Sequence, residues 1–229
     1  MKDQELTTRP TRSLIPLILG CIAVVACYFF VDRPVAWFVH NHRFYSDEFL
    51  EWPQFLSDRL GYVVIVGIAG VVAWRLWRPG SQLQTLLLAI AANLVATAGI
   101  KALLKWVFGR TWPETWINNN PSLIADGVYG FHPFHFGSAY QSFPSGHAAT
   151  TFAVVSILWL SQPRWRWLYA TVGGIVCVAL VGLNFHFVGD VIAGAMLGSI
   201  TGVYATRLFR LQAAAEQDRV RDADADRGI

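Results

Sequence analysis

Charge is scarce in this chain. Among 229 residues there are 18 Lys and Arg and 15 Asp and Glu, so only 14% are charged while 54% are hydrophobic. A soluble domain carries about a quarter charged residues, so the shortage excludes an ordinary water-facing surface and makes a lipid bilayer the expected solvent. Cysteine is nearly absent too. Cys21, Cys27 and Cys177 all fall inside apolar runs, which argues for free thiols and against a disulfide framework. The net charge of +3 is spread over the ends of those runs and not gathered on one face, so nothing marks a nucleic-acid partner. No cluster of ligating side chains has the spacing a metal site needs, and no cofactor is expected.

The chain does contain long apolar blocks, each of about 17 to 23 residues, the length a helix needs to cross a hydrocarbon core. Six are expected as spans: Leu14 to Val31, Gly61 to Trp77, Leu83 to Leu104, Ser145 to Leu160, Trp167 to Leu183 and Val188 to Leu208. The first could be taken for a signal peptide ending near Cys27, but its apolar run continues to Val31, which suits an uncleaved span. Lys2, Arg9 and Arg12, then Arg75 and Arg78, then Arg164 and Arg166, and finally Arg207 and Arg210 lie at alternate ends of the blocks. By the positive-inside rule these ends are cytoplasmic, which places both termini inside. The expected fold class is all-α, a six-span transmembrane helical bundle with an outer interfacial region. Residues 1–13 form a cytoplasmic segment before it and residues 211–229 a cytoplasmic tail after it.

Two outer segments are aromatic. Asp32 to Leu60 interleaves Trp37, Phe38, Phe44, Tyr45, Phe49, Trp52 and Phe55 with charges, as an amphipathic segment at the interface does. Its His40 and His42, spaced i, i+2, read as solvated interface histidines. Thr111 to Phe143 is long and carries little charge beyond Glu114 and Asp126, which suggests a functional loop on the membrane surface. His132 and His135 there read as interface packing. The third span ends in Lys101, Lys105 and Arg110, three cations on the outer side. They either snorkel to headgroups or share an anion.

Chemistry concentrates in Ser142 to Thr150, Ser-Phe-Pro-Ser-Gly-His-Ala-Ala-Thr. Pro144 suits a helix start, and the N-H groups of Ser145 and Gly146 with the helix dipole favour a phosphate beside His147. The bland alternative is a plain helix start with an interfacial histidine. A second histidine weighs against that: Gly182-Leu-Asn-Phe-His186-Phe-Val-Gly-Asp190 puts His186 and Asp190 at i, i+4, where the carboxylate could orient the imidazole as a nucleophile. The alternative here is a structural hydrogen bond between helices. Gly189, Gly194 and Gly198 permit close helix approach.

Lys105 with Arg110, Pro-Ser-Gly-His147, and His186-x-x-x-Asp190 together resemble the type 2 phosphatidic acid phosphatase superfamily, from the third span to the sixth. The resemblance implies an outward-facing site that removes phosphate from a lipid without a metal. His186 would attack phosphorus to give a phosphohistidine, Asp190 would orient it, and His147 would protonate the leaving oxygen. Lys105, Arg110, Ser145 and Gly146 would hold the phosphoryl oxygens. The chain departs from the family pattern at two places. Counting from Lys105, the family's Arg-Pro falls on Trp112-Pro113, and its later Ser-Arg falls on Ala179-Leu180. Arg110 is therefore expected to carry the phosphate load, with Lys101 tuning the field from one turn deeper. The expected substrate is a phosphorylated lipid or polyprenyl diphosphate at the outer leaflet, handled by hydrolysis or phosphotransfer. The rival is a catalytically weakened lipid-phosphate binding or transport protein. A vanadate-dependent oxidase would be expected to keep the missing arginines.

Overall fold

The computed structural model describes residues 10–42, 65–77, 81–116 and 119–226. The aromatic residues expected at the interface from Phe44 to Phe55, the start of the second span, and Lys2 and Arg9 lie outside these described residues. Within them the regular structure is helical: α1 (Pro10–Ala26), α2 (Asp32–Asn41), α3 (Ile65–Trp77), α4 (Gln82–Phe108), α5 (Leu123–Asp126), α6 (Gly146–Ser161), α7 (Arg166–Gly182) and α8 (Val188–Asp226). Four stretches are long and apolar enough to cross a membrane: Leu14–Asn41, Gln82–Phe108, Pro163–Gly182 and Val188–Arg210. The six expected spans thus correspond to four helices of spanning length and two shorter apolar ones, α3 and α6. The outward side chains suit lipid. Ile18, Phe29, Phe30, Val95 and Val178 are all well exposed, where a soluble protein would place polar groups. The chain is an integral membrane protein.

The first span runs further than its apolar composition suggests. A single π-helical turn, Cys27–Val31, joins α1 to α2, so the helix continues through Asp32 to Asn41. The extra residue of a π-turn rotates the helix beyond it, and Asp32 is carried to a buried position.

α4 starts on a capping box, in which Ser81 and Gln84 exchange side-chain and backbone hydrogen bonds. It ends at Gly109, whose φ of +53° is left-handed and whose missing Cβ leaves room for the His132 carbonyl. That turn aims the next residue, Arg110, inward.

α6 and α8 form the tightest helix pair. A Cβ on Gly194 would collide with the carbonyl of Ser145, one on Gly198 with the carbonyl of Ala149, and one on Gly202 with the Ser156 hydroxyl. Ala148, Ala149 and Ala153 are fully buried opposite. Lipid tails are as apolar as the side chains, so close backbone contact and buried polar links hold these helices together. Asn93 Nδ2 donates to the Ala153 carbonyl at 3.0 Å, and Thr97 and Thr201 hydroxyls lie 2.8 Å apart. This seam places the start of α6 against the start of α8, and the Ser145 N-H donates to the Asp190 carbonyl at 3.0 Å.

Gly198→Leu should lower the thermal unfolding temperature in detergent, at a cost of about 1–3 kcal/mol from overpacking. Gly174→Ala should not, because a Cβ there meets nothing within 4 Å. Equal melting of the two variants would show that the seam does not hold the helices.

Candidate active site

His186 does not sit on a helix. The chain leaves α7 through Leu183 and Asn184, and α8 begins only at Val188. Asn184 takes a left-handed φ of +55° and its side-chain amide donates to the Ala36 carbonyl at 3.0 Å and to Glu114 Oε1 at 3.1 Å. Phe185 and His186 both return their N-H groups to the Leu180 carbonyl. The turn that carries His186 is thereby pinned to α2, α7 and the loop that holds Glu114 at once. His186 and Asp190 meet through this turn and not through helical periodicity, with His186 Nδ1 3.6 Å from Asp190 Oδ2.

Ser142 fills the gap. Its hydroxyl donates to Asp190 Oδ2 at 2.5 Å and lies 3.4 Å from His186 Nδ1. The serine has one proton and gives it to the carboxylate, so its oxygen accepts from the ring; Nδ1 then carries the imidazole proton and Nε2 keeps its lone pair. The Phe187 N-H adds a further bond to Asp190 Oδ2 at 3.2 Å. Burial pushes the His186 pKa down against the opposing pull of Asp190 and Ser142, which favours the neutral ring. The Trp112 ring lies 5.2 Å from the imidazole.

Arg110 has a different occupation from the one expected of a phosphate ligand. It is only 1% exposed, with Nη1 donating to Asp190 Oδ1 at 2.5 Å and Nη2 to Asp32 Oδ2 at 2.7 Å and to the Tyr129 hydroxyl at 2.9 Å. The rings of Tyr28, Tyr129, Phe131 and Phe187 surround it at 4.4 to 5.3 Å. Burial opposes its charge, but Asp190 and Asp32 outweigh that and hold its pKa above the ordinary value. Asp32 is the physical reason for the departure: a buried carboxylate from the N-terminal helix draws the guanidinium away from the site mouth.

Ser145 is likewise committed. Its hydroxyl oxygen accepts the Ala148 N-H as the N-cap of α6 and its backbone N-H goes to the Asp190 carbonyl, so it shapes the helix start. Gly146, next in line, is partly exposed and Lys101 reaches it: Lys101 Nζ is 3.4 Å from where a Gly146 Cβ would stand. Lys101 therefore belongs beside the helix start and not below it. Lys105 donates to the Gln141 carbonyl and lies 5.7 Å over the Trp112 ring. His147 is exposed, within the electrostatic reach of His186, Lys101 and Lys105.

Among its described residues, the loop from Thr111 to Phe143 is more folded than a membrane-lying segment requires. β-Bridges tie Arg110 to Phe131 and Gln141 and tie Trp112 to Ser122, and Leu123 is buried under α2. His40 pairs with Glu114 at 2.7 Å and so is not a solvated histidine, whereas His42 is exposed. His132, His135 and Tyr140 pack as a ring cluster, as expected. Sequence reasoning missed Asp32, Asn184 and the Ser142 relay. The single carboxylate at the end of an apolar run was the available signal for Asp32.

Arg110→Ala should cost folding stability on the scale of about 3–5 kcal/mol, because it leaves two buried carboxylates facing each other. Lys105→Ala should leave folding intact. Thermal unfolding in detergent compares them, and a wild-type melting point for Arg110→Ala would show that the triad is not structural.

The profile of the PAP2 superfamily matches residues 83–213. A lipid A 1-phosphatase of Rhizobium johnstonii is 34% identical over 111 residues, 46% of this chain and 41% of that protein, so the chain spans about two fifths of that relative's length. A lipid A 4'-phosphatase of Bacteroides thetaiotaomicron is 26% identical over 156 residues, 66% of this chain and 67% of that protein. A crystal structure of a transmembrane PAP2-type phosphatidylglycerolphosphate phosphatase from Bacillus subtilis aligns with a TM-score of 0.49 and 16% identity over 85% of this chain and 94% of that one. The family profile takes in more than half of the 229 residues, including both histidines and Asp190, and the chain belongs to the PAP2 superfamily.

Proposed function

We propose that the chain is a membrane lipid phosphatase that works through a phosphohistidine. The observation that carries this reading is the His186–Ser142–Asp190 relay set against the start of α6. His186 Nε2 attacks phosphorus, and the bond from phosphorus to the lipid oxygen breaks. His147 gives that oxygen its proton, so lipid alcohol leaves and phosphate stays on the ring. Water then attacks phosphorus, His147 takes its proton, and His186 is released with inorganic phosphate. The charge that develops on the phosphoryl oxygens falls to Lys101, Lys105 and the Gly146 N-H, since Arg110 is spent on carboxylates.

The relatives' names point to a phosphorylated glycolipid of the lipid A kind as the first substrate to try. A polyprenyl diphosphate or a glycerolipid phosphate fits the same chemistry. The arginine pattern of the cytoplasmic ends puts both termini inside, α3 and α6 among six spans, and the site at the outer leaflet. One observation favours a rival, a lipid-phosphate binder or transporter without turnover: the one arginine near the motifs does not face the site mouth.

Purified protein in detergent with EDTA should release phosphate from at least one of lipid A, a glycerolipid phosphate and a polyprenyl diphosphate. His186→Ala should abolish release and Asp190→Asn should remove most of it. Binding of these lipids with no phosphate released from any would establish the rival. Because burial lowers the His186 pKa, the ring stays unprotonated as pH falls through the ordinary histidine range. Activity should therefore persist below about pH 6.5, the unperturbed histidine value; an acid limb above that value would contradict a buried neutral nucleophile. For topology, Ser138→Cys should react with an impermeant thiol reagent in intact cells and Gln162→Cys should not, and the reverse pattern would put the site on the cytoplasmic side.

A further inference from the structure

We propose that Asp32 is a positioning residue of this site: its carboxylate shares the Arg110 guanidinium with Asp190 and so keeps the cluster behind His186 net negative. The inference rests on the reading of His186 as the nucleophile. Asp32 lies outside the residues 83–213 that the family profile matches, so it is a contribution of the N-terminal helix to the family's motifs.

The geometry of Asp32 is specific. It is 1% exposed, and Oδ1 accepts the Gly189 N-H at 2.9 Å, one residue before Asp190. Oδ2 accepts from Arg110 at 2.7 Å and from the Tyr129 hydroxyl at 3.4 Å. A Cβ on Gly189 would stand 3.1 Å from Asp32 Oδ2, so a larger residue there would crowd the carboxylate. The π-turn at Cys27–Val31 comes immediately before it and turns Asp32 into the interior.

Formal charges give the sign of the field. Asp32 at −1, Arg110 at +1 and Asp190 at −1 sum to −1, whereas Arg110 and Asp190 alone sum to 0. When Nε2 bonds to phosphorus the ring, which keeps its Nδ1 proton, becomes positive. A net negative cluster stabilises that ring more than a neutral one does. The other charged or titratable groups that face His186 are Lys105 from α4 and His147 from α6, and neither is negative. With Arg110 held between both carboxylates, Asp32 draws part of the guanidinium charge off Asp190, whose Oδ2 stands 3.6 Å from His186 Nδ1, and so strengthens the negative field at the ring. A plain staple between α2 and α8 would have no need of a charge.

The test is kcat and KM for phosphate release against pH by the full-length chain, wild type beside Asp32→Asn and Asp32→Glu. Asp32→Asn should lower kcat by roughly tenfold with KM nearly unchanged, the loss of one charge that acts in the transition state. Its acid limb should move down by roughly 0.5 pH units, because removal of a negative charge makes the imidazolium easier to deprotonate. Asp32→Glu, which keeps the charge, should keep the wild-type limb. NMR titration of the His186 ring in the same proteins reads the same shift without turnover, so it stands even where no lipid is hydrolysed and the phosphatase reading has failed. Asp32→Ser, with room for water beside the guanidinium, takes the place of Asp32→Asn should that variant not fold. A limb and a His186 titration that stay at the wild-type position in the uncharged variants, even with a lowered melting temperature, would reduce Asp32 to a staple and overturn the proposal.

Discussion

A guanidinium held between two carboxylates in a low-dielectric interior is the constraint on which the rest of this structure depends. Taking Arg110, Asp32 and Asp190 out of water is expensive for each ion, and only mutual contact and hydrogen bonding make the arrangement tolerable. The aromatic rings that close over Arg110 exclude water and strengthen those contacts. Three distant parts of the chain must therefore arrive together: the end of the first span, the turn after α4 and the start of α8. The π-turn before Asp32 and the left-handed Gly109 before Arg110 are the local devices that deliver two of them.

The third arrives through the α6–α8 seam. Small residues along both helices bring their backbones into contact, and Ser145 of one helix bonds the backbone of Asp190 of the other. One residue serves both contacts, because Asp190 accepts the Ser145 N-H at the start of α6 through its carbonyl and the Ser142 hydroxyl beside His186 through its carboxylate. The outer loop completes the frame from the other side. Glu114 links His40 of α2 to Asn184 in the turn before α8, and the Trp116 indole donates to the Asn184 carbonyl.

Much of this was legible from the residues alone. Apolar blocks of spanning length and the sparse charge identified a helical membrane protein, and the two histidine motifs identified the family. Gly194 and Gly198 were readable as contact points because small residues in a membrane helix have few other uses. Partner choice was not legible. Lys105 and Arg110 both stand at the outer end of α4 with the same sign, and nothing in their spacing says that one faces the site while the other turns to a carboxylate 78 residues away. The i, i+4 spacing of His186 and Asp190 pointed to a pair for a reason the fold does not use, since His186 precedes the helix. Ser142 escaped notice because its role depends on a proton that only three-dimensional proximity to Asp190 assigns.

The displacement of Arg110 also explains why Trp112 can stand where the family pattern has an arginine. A guanidinium at that position would face His186 at close range and, with Lys105 nearby, would add a further positive charge beside the buried imidazole. An indole there packs on the imidazole and faces the Lys105 ammonium with its π-cloud. It fixes both side chains without adding charge. Charge is thus sorted by sign: the Lys101 ammonium lies by the α6 start and Lys105 by Gln141, while the carboxylates of Asp32 and Asp190 are joined through Arg110. The Asp32–Arg110–Asp190 cluster carries a net negative formal charge, and the indole at position 112 adds no charge of either sign beside the imidazole.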